Sequence, residues 1–275
     1  MTYDFGKKNN LALVVLSLQI VLLQSHFASA QEPAPQAKPK MDFTRMPADP
    51  RIEMRSYLFK ETAERMEYAL FVSSKVTQDK KNPVIVTLHG LGAPPRIMFM
   101  GPALDLAEEG GYILVGPMGY NVRGWYGVPT GGKPSKPDTP PKPAKKPETV
   151  TEDGKTAPKA KAPLFFDPND PPNLSELSEK DVMNVLEIVR KEFNVDERRI
   201  YLMGHSMGGA GTLYLGTRYP SIWAALAPIA PAAFGLNPDI LEKIKDIPVI
   251  FVHGEADEVV PGRKGERIEN DLRIQ

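Results

Sequence analysis

The chain has 275 residues, with 34 basic and 34 acidic side chains and so a formal net charge of zero. A neutral chain carries no electrostatic footprint for nucleic acid or for an anionic membrane surface. Cysteine is absent, which excludes disulfides, cysteine nucleophiles and thiolate metal sites. The four histidines, at 26, 89, 205 and 253, show no paired ligand spacing, so no metal and no cofactor is expected.

Residues 1–30 read as an export signal. Lys7 and Lys8 are the positive start, Leu11 to Leu23 an apolar run too short for a comfortable membrane span, and Ala28-Ser29-Ala30 a cleavage site leaving Gln31 first. The expected location is secreted or periplasmic, with no stable membrane span after cleavage. Residues 31–50, rich in Pro, Ala and Lys, read as a linker to a folded domain over 51–275.

Strands are expected over 51–60 and 66–73, where tyrosine, phenylalanine and branched residues gather. Pro83 to Leu88 is a continuous apolar run, the pattern of a strand buried on both faces of a parallel sheet. It ends in His89-Gly90-Leu91-Gly92. A helix over 97–109, Gly110-Gly111 and a strand over 112–115 complete a βαβ unit.

A Gly- and aromatic-rich loop, 116–128, follows. Residues 129–163 then hold nine prolines and eight lysines without an aromatic side chain. Such a segment buries too little apolar surface to offset its ordering entropy, so it is expected to be a disordered insertion. A sharper reading makes it a basic tether giving weak contact with a cell wall. Ser178 and Asp181 fit a helix-start signal, and Val182, Val185, Leu186, Val189 and Phe193 fall on one helical face.

The chemistry centres on Arg199 to Gly211. Three β-formers, Ile200-Tyr201-Leu202, lead into Gly204-His205-Ser206-Met207-Gly208, with small residues after it. Strand, sharp turn and helix start hold a hydroxyl above a sheet edge. Glycines on either side leave room for the strained turn. The helix should close at Pro220. A buried strand over 223–230, a short helix near 238–245 and a strand over 248–252 follow, the last emptying into His253-Gly254-Glu255-Ala256-Asp257-Glu258-Val259-Val260-Pro261.

Three motifs thus sit at strand ends: His-Gly-Leu-Gly, Gly-His-Ser-Met-Gly and His-Gly-x-x-Asp-x-x-Val-Pro. In this order they resemble the α/β-hydrolase superfamily. The groups most alike are secreted esterases of the polyhydroxybutyrate-depolymerase, feruloyl-esterase and dienelactone-hydrolase kinds, with the prolyl-oligopeptidase catalytic domain a near neighbour. The resemblance implies an α/β three-layer sandwich with a mostly parallel sheet. It implies Ser206 as nucleophile and Asp257, 51 residues later, as the acid of the triad. The oxyanion donors would be the backbone N–H groups of Met207 and Leu91. The substrate would be a small or polymeric carboxylic ester, with Trp125 and Tyr126 as candidate cleft residues or, equally, as core packing.

His205 and His253 read as structural neighbours of the serine and the acid, and His89 as a structural hydrogen-bonding residue. The family's base follows the acid, and no histidine follows Asp257. The family's last helix and strand are missing with it. The expectation is therefore a truncated reading of a longer serine hydrolase. The alternatives are a serine peptidase, or a chain without catalysis that keeps a carbohydrate- or wall-binding cleft.

Overall fold

The computed structural model describes residues 49–129, 167–233, 236–254, 257 and 260. The export signal, the linker and nearly all of the insertion lie outside the described residues. Six strands form one sheet: β1 (Glu53–Phe59), β2 (Glu64–Val72), β3 (Asn82–Leu88), β4 (Ile113–Pro117), β5 (Val195–His205) and β6 (Ala225–Ile229). Their spatial order is β1-β2-β4-β3-β5-β6. The β1–β2 and β2–β4 pairings are antiparallel, and the remaining pairings are parallel. Residues 248–252 continue the sheet beside β6 through parallel bridges from Val249 to Leu226 and from Val252 to Ile229.

Alternation along the strands builds two cores. Val84, Val86, Leu88, Ile113, Val115, Ile200 and Leu202 face one side, where α2 (Leu174–Glu192) and α3 (Met207–Arg218) pack through Val182, Val185, Leu186, Val189 and Leu213. Ile85, Leu114 and Met203 face the other, against Leu104 and Ala107 of α1 (Ala103–Gly110). Because successive strand side chains point to opposite faces, strands buried on both faces need apolar residues throughout, and β3 is buried at all seven positions. The three-layer α/β expectation holds, and β3-α1-β4 is the expected parallel βαβ unit. Among the described residues no helix is long and apolar enough to cross a membrane.

Two local expectations need correcting. The single helix over 97–109 is broken into a 3-10 turn, Pro95–Phe99, and α1, because Gly101 adopts φ 60° and Pro102 follows it. The helix read as starting at Ser178 begins a turn earlier, at Leu174, just after Pro171-Pro172. Ser178 and Asp181 are therefore no start signal. Both are fully buried inside α2 and hydrogen-bond to the 116–128 loop.

Candidate active site

Ser206 sits between β5 and α3 with φ 56° and ψ −113°. A non-glycine residue held there costs about 1–3 kcal/mol and persists only where its surroundings enforce it. The surroundings are backbone bonds: Ser206 donates N–H to the Ile229 carbonyl at 2.9 Å, and its own carbonyl accepts from Ala210 at 3.0 Å and Ala232 at 2.9 Å. Close approach does the rest. A β-carbon on Gly204 would lie 2.3 Å from the Gly208 oxygen, and one on Gly208 would lie 2.1 Å from the Leu88 oxygen. The first turn of α3 is thereby pressed against the end of β3. The Met207 N–H is the first of that helix and has no intrahelical partner.

The loop after β3 reaches the same place. A methyl on Gly90 would lie 3.6 Å from Ser206 Cβ and 3.3 Å from His205 Nδ1. Leu91, next in the chain, is half-buried. The loop's shape comes from the 116–128 segment. His89 is fully buried, its Nε2 2.8 Å from the Met118 oxygen and its Nδ1 2.8 Å from the Gly90 oxygen. Gly92 donates N–H to the Val122 oxygen at 2.9 Å. Burial holds the His89 pKa below its ordinary value, and the two carbonyl oxygens at its ring nitrogens oppose that shift.

Asp257 is half-buried in the turn after residues 248–252. Its N–H bonds the Gly254 oxygen at 3.1 Å, and its Oδ1 accepts from Val260 N–H at 2.9 Å. His253 bridges the same turn through Nε2 to the Val260 oxygen at 2.8 Å, while its buried Nδ1 has no hydrogen-bond partner among the described residues. The Asp257 carboxylate acts on the His205 ring: desolvation lowers the pKa of His205 and Asp257 opposes that shift. The serine turn, the β3 loop and the Asp257 turn therefore stand together at the carboxyl edge of the parallel strands, the place where open α/β sheets bind ligands.

Of the two candidate cleft aromatics, one lies in the core. Tyr126 is fully buried. It packs over Gly211 of α3, and its hydroxyl donates to the His89 oxygen at 3.3 Å. Trp125 is half-buried and packs against the same core. Tyr126 has no surface with which to line a cleft, so core packing replaces that role. Both residues hold φ above 50°, a left-handed backbone that bulky side chains rarely adopt. Tyr126→Phe is expected to lower stability by about 0.5–1.5 kcal/mol, the worth of one hydrogen bond, as read by denaturant unfolding.

Sequence reasoning missed the anchors of this loop. Asp181 Oδ2 accepts N–H bonds from Gly119 at 2.7 Å and Tyr120 at 3.3 Å, and its Oδ1 accepts from the Tyr57 hydroxyl at 2.6 Å. Ser178 Oγ accepts the Tyr126 N–H at 2.9 Å. The available signal was polarity at two positions next to the apolar face of α2, and it suggested a helix start instead. Arg123 pairs with Asp170 at 2.8 Å and with Asp167 at 3.3 Å, which ties together the two chain ends that flank the insertion.

Comparison with known proteins agrees with this architecture. The family described as serine aminopeptidase, S33, matches residues 172–245, which include α2, β5 and the serine turn. A bifunctional acetylxylan esterase/xylanase of Neocallimastix patriciarum is 32% identical over 95 residues, covering 34% of this chain and 14% of that protein. Feruloyl esterase B of Neurospora crassa is 25% identical over 161 residues, covering 56% of this chain and 41% of that protein. The chain thus spans less than half the length of either relative. Among solved structures, a ferulic acid esterase of Anaeromyces mucronatus, determined with ferulic acid bound, superposes with a TM-score of 0.56 at 18% identity, covering 88% of each chain. With its strand order, its strained serine turn and these likenesses, the chain has the α/β-hydrolase fold and is similar in sequence to esterases.

Proposed function

We propose that this chain is a serine hydrolase of carboxylic esters that acts through an acyl-enzyme on Ser206. The observation that carries the reading is the strained backbone of Ser206 at the head of α3, beside the loop after β3. In this reading Ser206 Oγ attacks the ester carbonyl. The negative charge that develops on the carbonyl oxygen meets the N–H groups of Leu91 and Met207. The alcohol leaves with a proton, and water then releases the acid. Asp257 orients and balances the charge of the base.

The base is an imidazole that the three described histidines do not supply. Both His89 nitrogens face carbonyl oxygens in the core. His253 is bound into the Asp257 turn. His205 belongs to the serine turn itself, as the residue before the nucleophile.

The experiment is hydrolysis of p-nitrophenyl acetate with and without added imidazole, with Ser206→Ala as the background. Serine-dependent turnover supports the reading, and turnover equal in the two proteins overturns it. The match to an aminopeptidase family favours a second reading, a serine peptidase. Cleavage of aminoacyl amides in preference to acetyl and feruloyl esters would select it. We further propose that residues 1–30 direct export, so that the protein recovered from outside the cytoplasm begins at Gln31, as N-terminal sequencing would read.

A further inference from the structure

Asp181 has no place in the chemistry just described, yet it is the described carboxyl group with the most unusual surroundings. It lies on α2, fully buried, and three donors converge on it: the Tyr57 hydroxyl from β1 and the Gly119 and Tyr120 N–H groups from the loop after β4. The other titratable groups that act on it or are acted on by it are Glu61, from the turn between β1 and β2, and the buried Tyr126 phenol. No cation is among the groups that shift it.

The loop it grips is the same segment that grips the strand end beside Ser206. Met118 precedes Gly119 and meets His89 Nε2 at 2.8 Å. Val122, two residues past Tyr120, accepts the Gly92 N–H at 2.9 Å. Tyr126 closes on the His89 oxygen. His89 and Gly92 flank Gly90 and Leu91, so the route from Asp181 to the oxyanion loop is one stretch of backbone with bonds at both ends. The stretch also carries left-handed backbone at Tyr120, Trp125 and Tyr126, which holds only while such anchors hold.

We propose that Asp181 is the positioning residue of the oxyanion loop: its carboxyl group fixes residues 118–122, and these fix His89 and Gly92 on either side of the Leu91 N–H. The assignment of Leu91 as a donor rests on the esterase reading; the mechanical coupling of the two segments does not.

The direction of its pH dependence follows from burial. Burial raises the Asp181 pKa from 3.8 to about 6, and the three hydrogen bonds only partly offset that rise. If the loop opens, the carboxyl group meets water and its pKa returns toward the ordinary value. The closed loop therefore binds more protons than the open one, and it is held most tightly below about pH 4. It loosens as the pH rises through about 6.

The test is amide hydrogen exchange of the full chain, with protection corrected for the intrinsic rate at each pH. In Asp181→Ala, protection is expected to fall at least about tenfold in residues 118–122 and also in 90–93, with β3 and β5 unchanged. Asp181→Asn, which mimics the neutral acid, is expected to retain protection in both segments. In the wild-type protein, protection of both is expected to drop about tenfold between pH 5 and pH 7.5, and in Asp181→Asn not to change. The rate at which a fluorophosphonate labels Ser206 should follow the same order, falling in the alanine variant and recovering in the asparagine variant. Loosening of 118–122 with 90–93 untouched would overturn the proposal, as would equal behaviour of the alanine and asparagine variants. If Ser206 is not labelled in any of the proteins, the esterase reading fails, while the exchange result still decides the role of Asp181.

Discussion

A fluorophosphonate is expected to attach to Ser206, slowly in the 275-residue chain and at least about tenfold faster when imidazole is added. A positioned base contributes on the order of 100- to 10,000-fold, and a diffusing imidazole recovers only part of that. In the proposed reading the strained turn and the helix head would supply orientation and oxyanion stabilisation. These parts act without the base, and in related triads they leave about 1,000- to 10,000-fold acceleration over water. Mass spectrometry of the labelled peptide gives the site, and Ser206→Ala should abolish labelling with and without imidazole. Rapid labelling that imidazole does not accelerate would show that the described residues already hold a base. His205, whose ring is desolvated but acted on by Asp257, would then be the group to replace next.

Gly208→Ala is expected to damage the protein more than any other single methyl group added in this region. The new carbon would lie 2.1 Å from the Leu88 oxygen and 2.8 Å from the His89 oxygen. Both are backbone atoms at the end of the central strand and cannot rotate away. Overpacking of this kind costs about 3 kcal/mol, or a fall in melting temperature of roughly 10 °C for a domain of this size. Any relief comes from moving α3 away from β3, which carries the Ser206 side chain away from the loop after β3 at Gly90. A displacement of about 1 Å there can lower the labelling rate on the order of 100-fold. Gly101→Ala is the control. A β-carbon there meets nothing within 4 Å, and Gly101 has φ 60°, so only backbone strain is added, about 1 kcal/mol. Calorimetry and labelling of the two variants separate steric pressure at the serine turn from a general loss of glycine.

The strands were legible because burial on both faces demands uninterrupted apolar runs, and the run at 83–88 admits no other placement in a parallel sheet. The serine turn was legible because its geometry tolerates only small flanking residues, and Gly204 and Gly208 are pressed against backbone as that pattern implies. The break at Gly101-Pro102 was readable too, from a glycine followed by a proline, although helical periodicity on either side hid it.

What one sequence window does not contain is the identity of a hydrogen-bond partner far along the chain. Ser178 and Asp181 look the same locally whether they begin a helix or anchor a loop, because the distinction lies in residues 52 to 62 positions away. Tyr126 likewise reads as a cleft residue or a core residue until α3 is placed over it with Gly211 at the contact. The sequence by itself determined the class of fold, the strained serine and the strand ends on which the site stands, since these depend on local periodicity and on glycine. The tertiary structure alone decided which buried groups bond to the 116–128 segment and, through it, to the loop after β3, since a buried carboxyl group takes its role from the donors that folding brings to it.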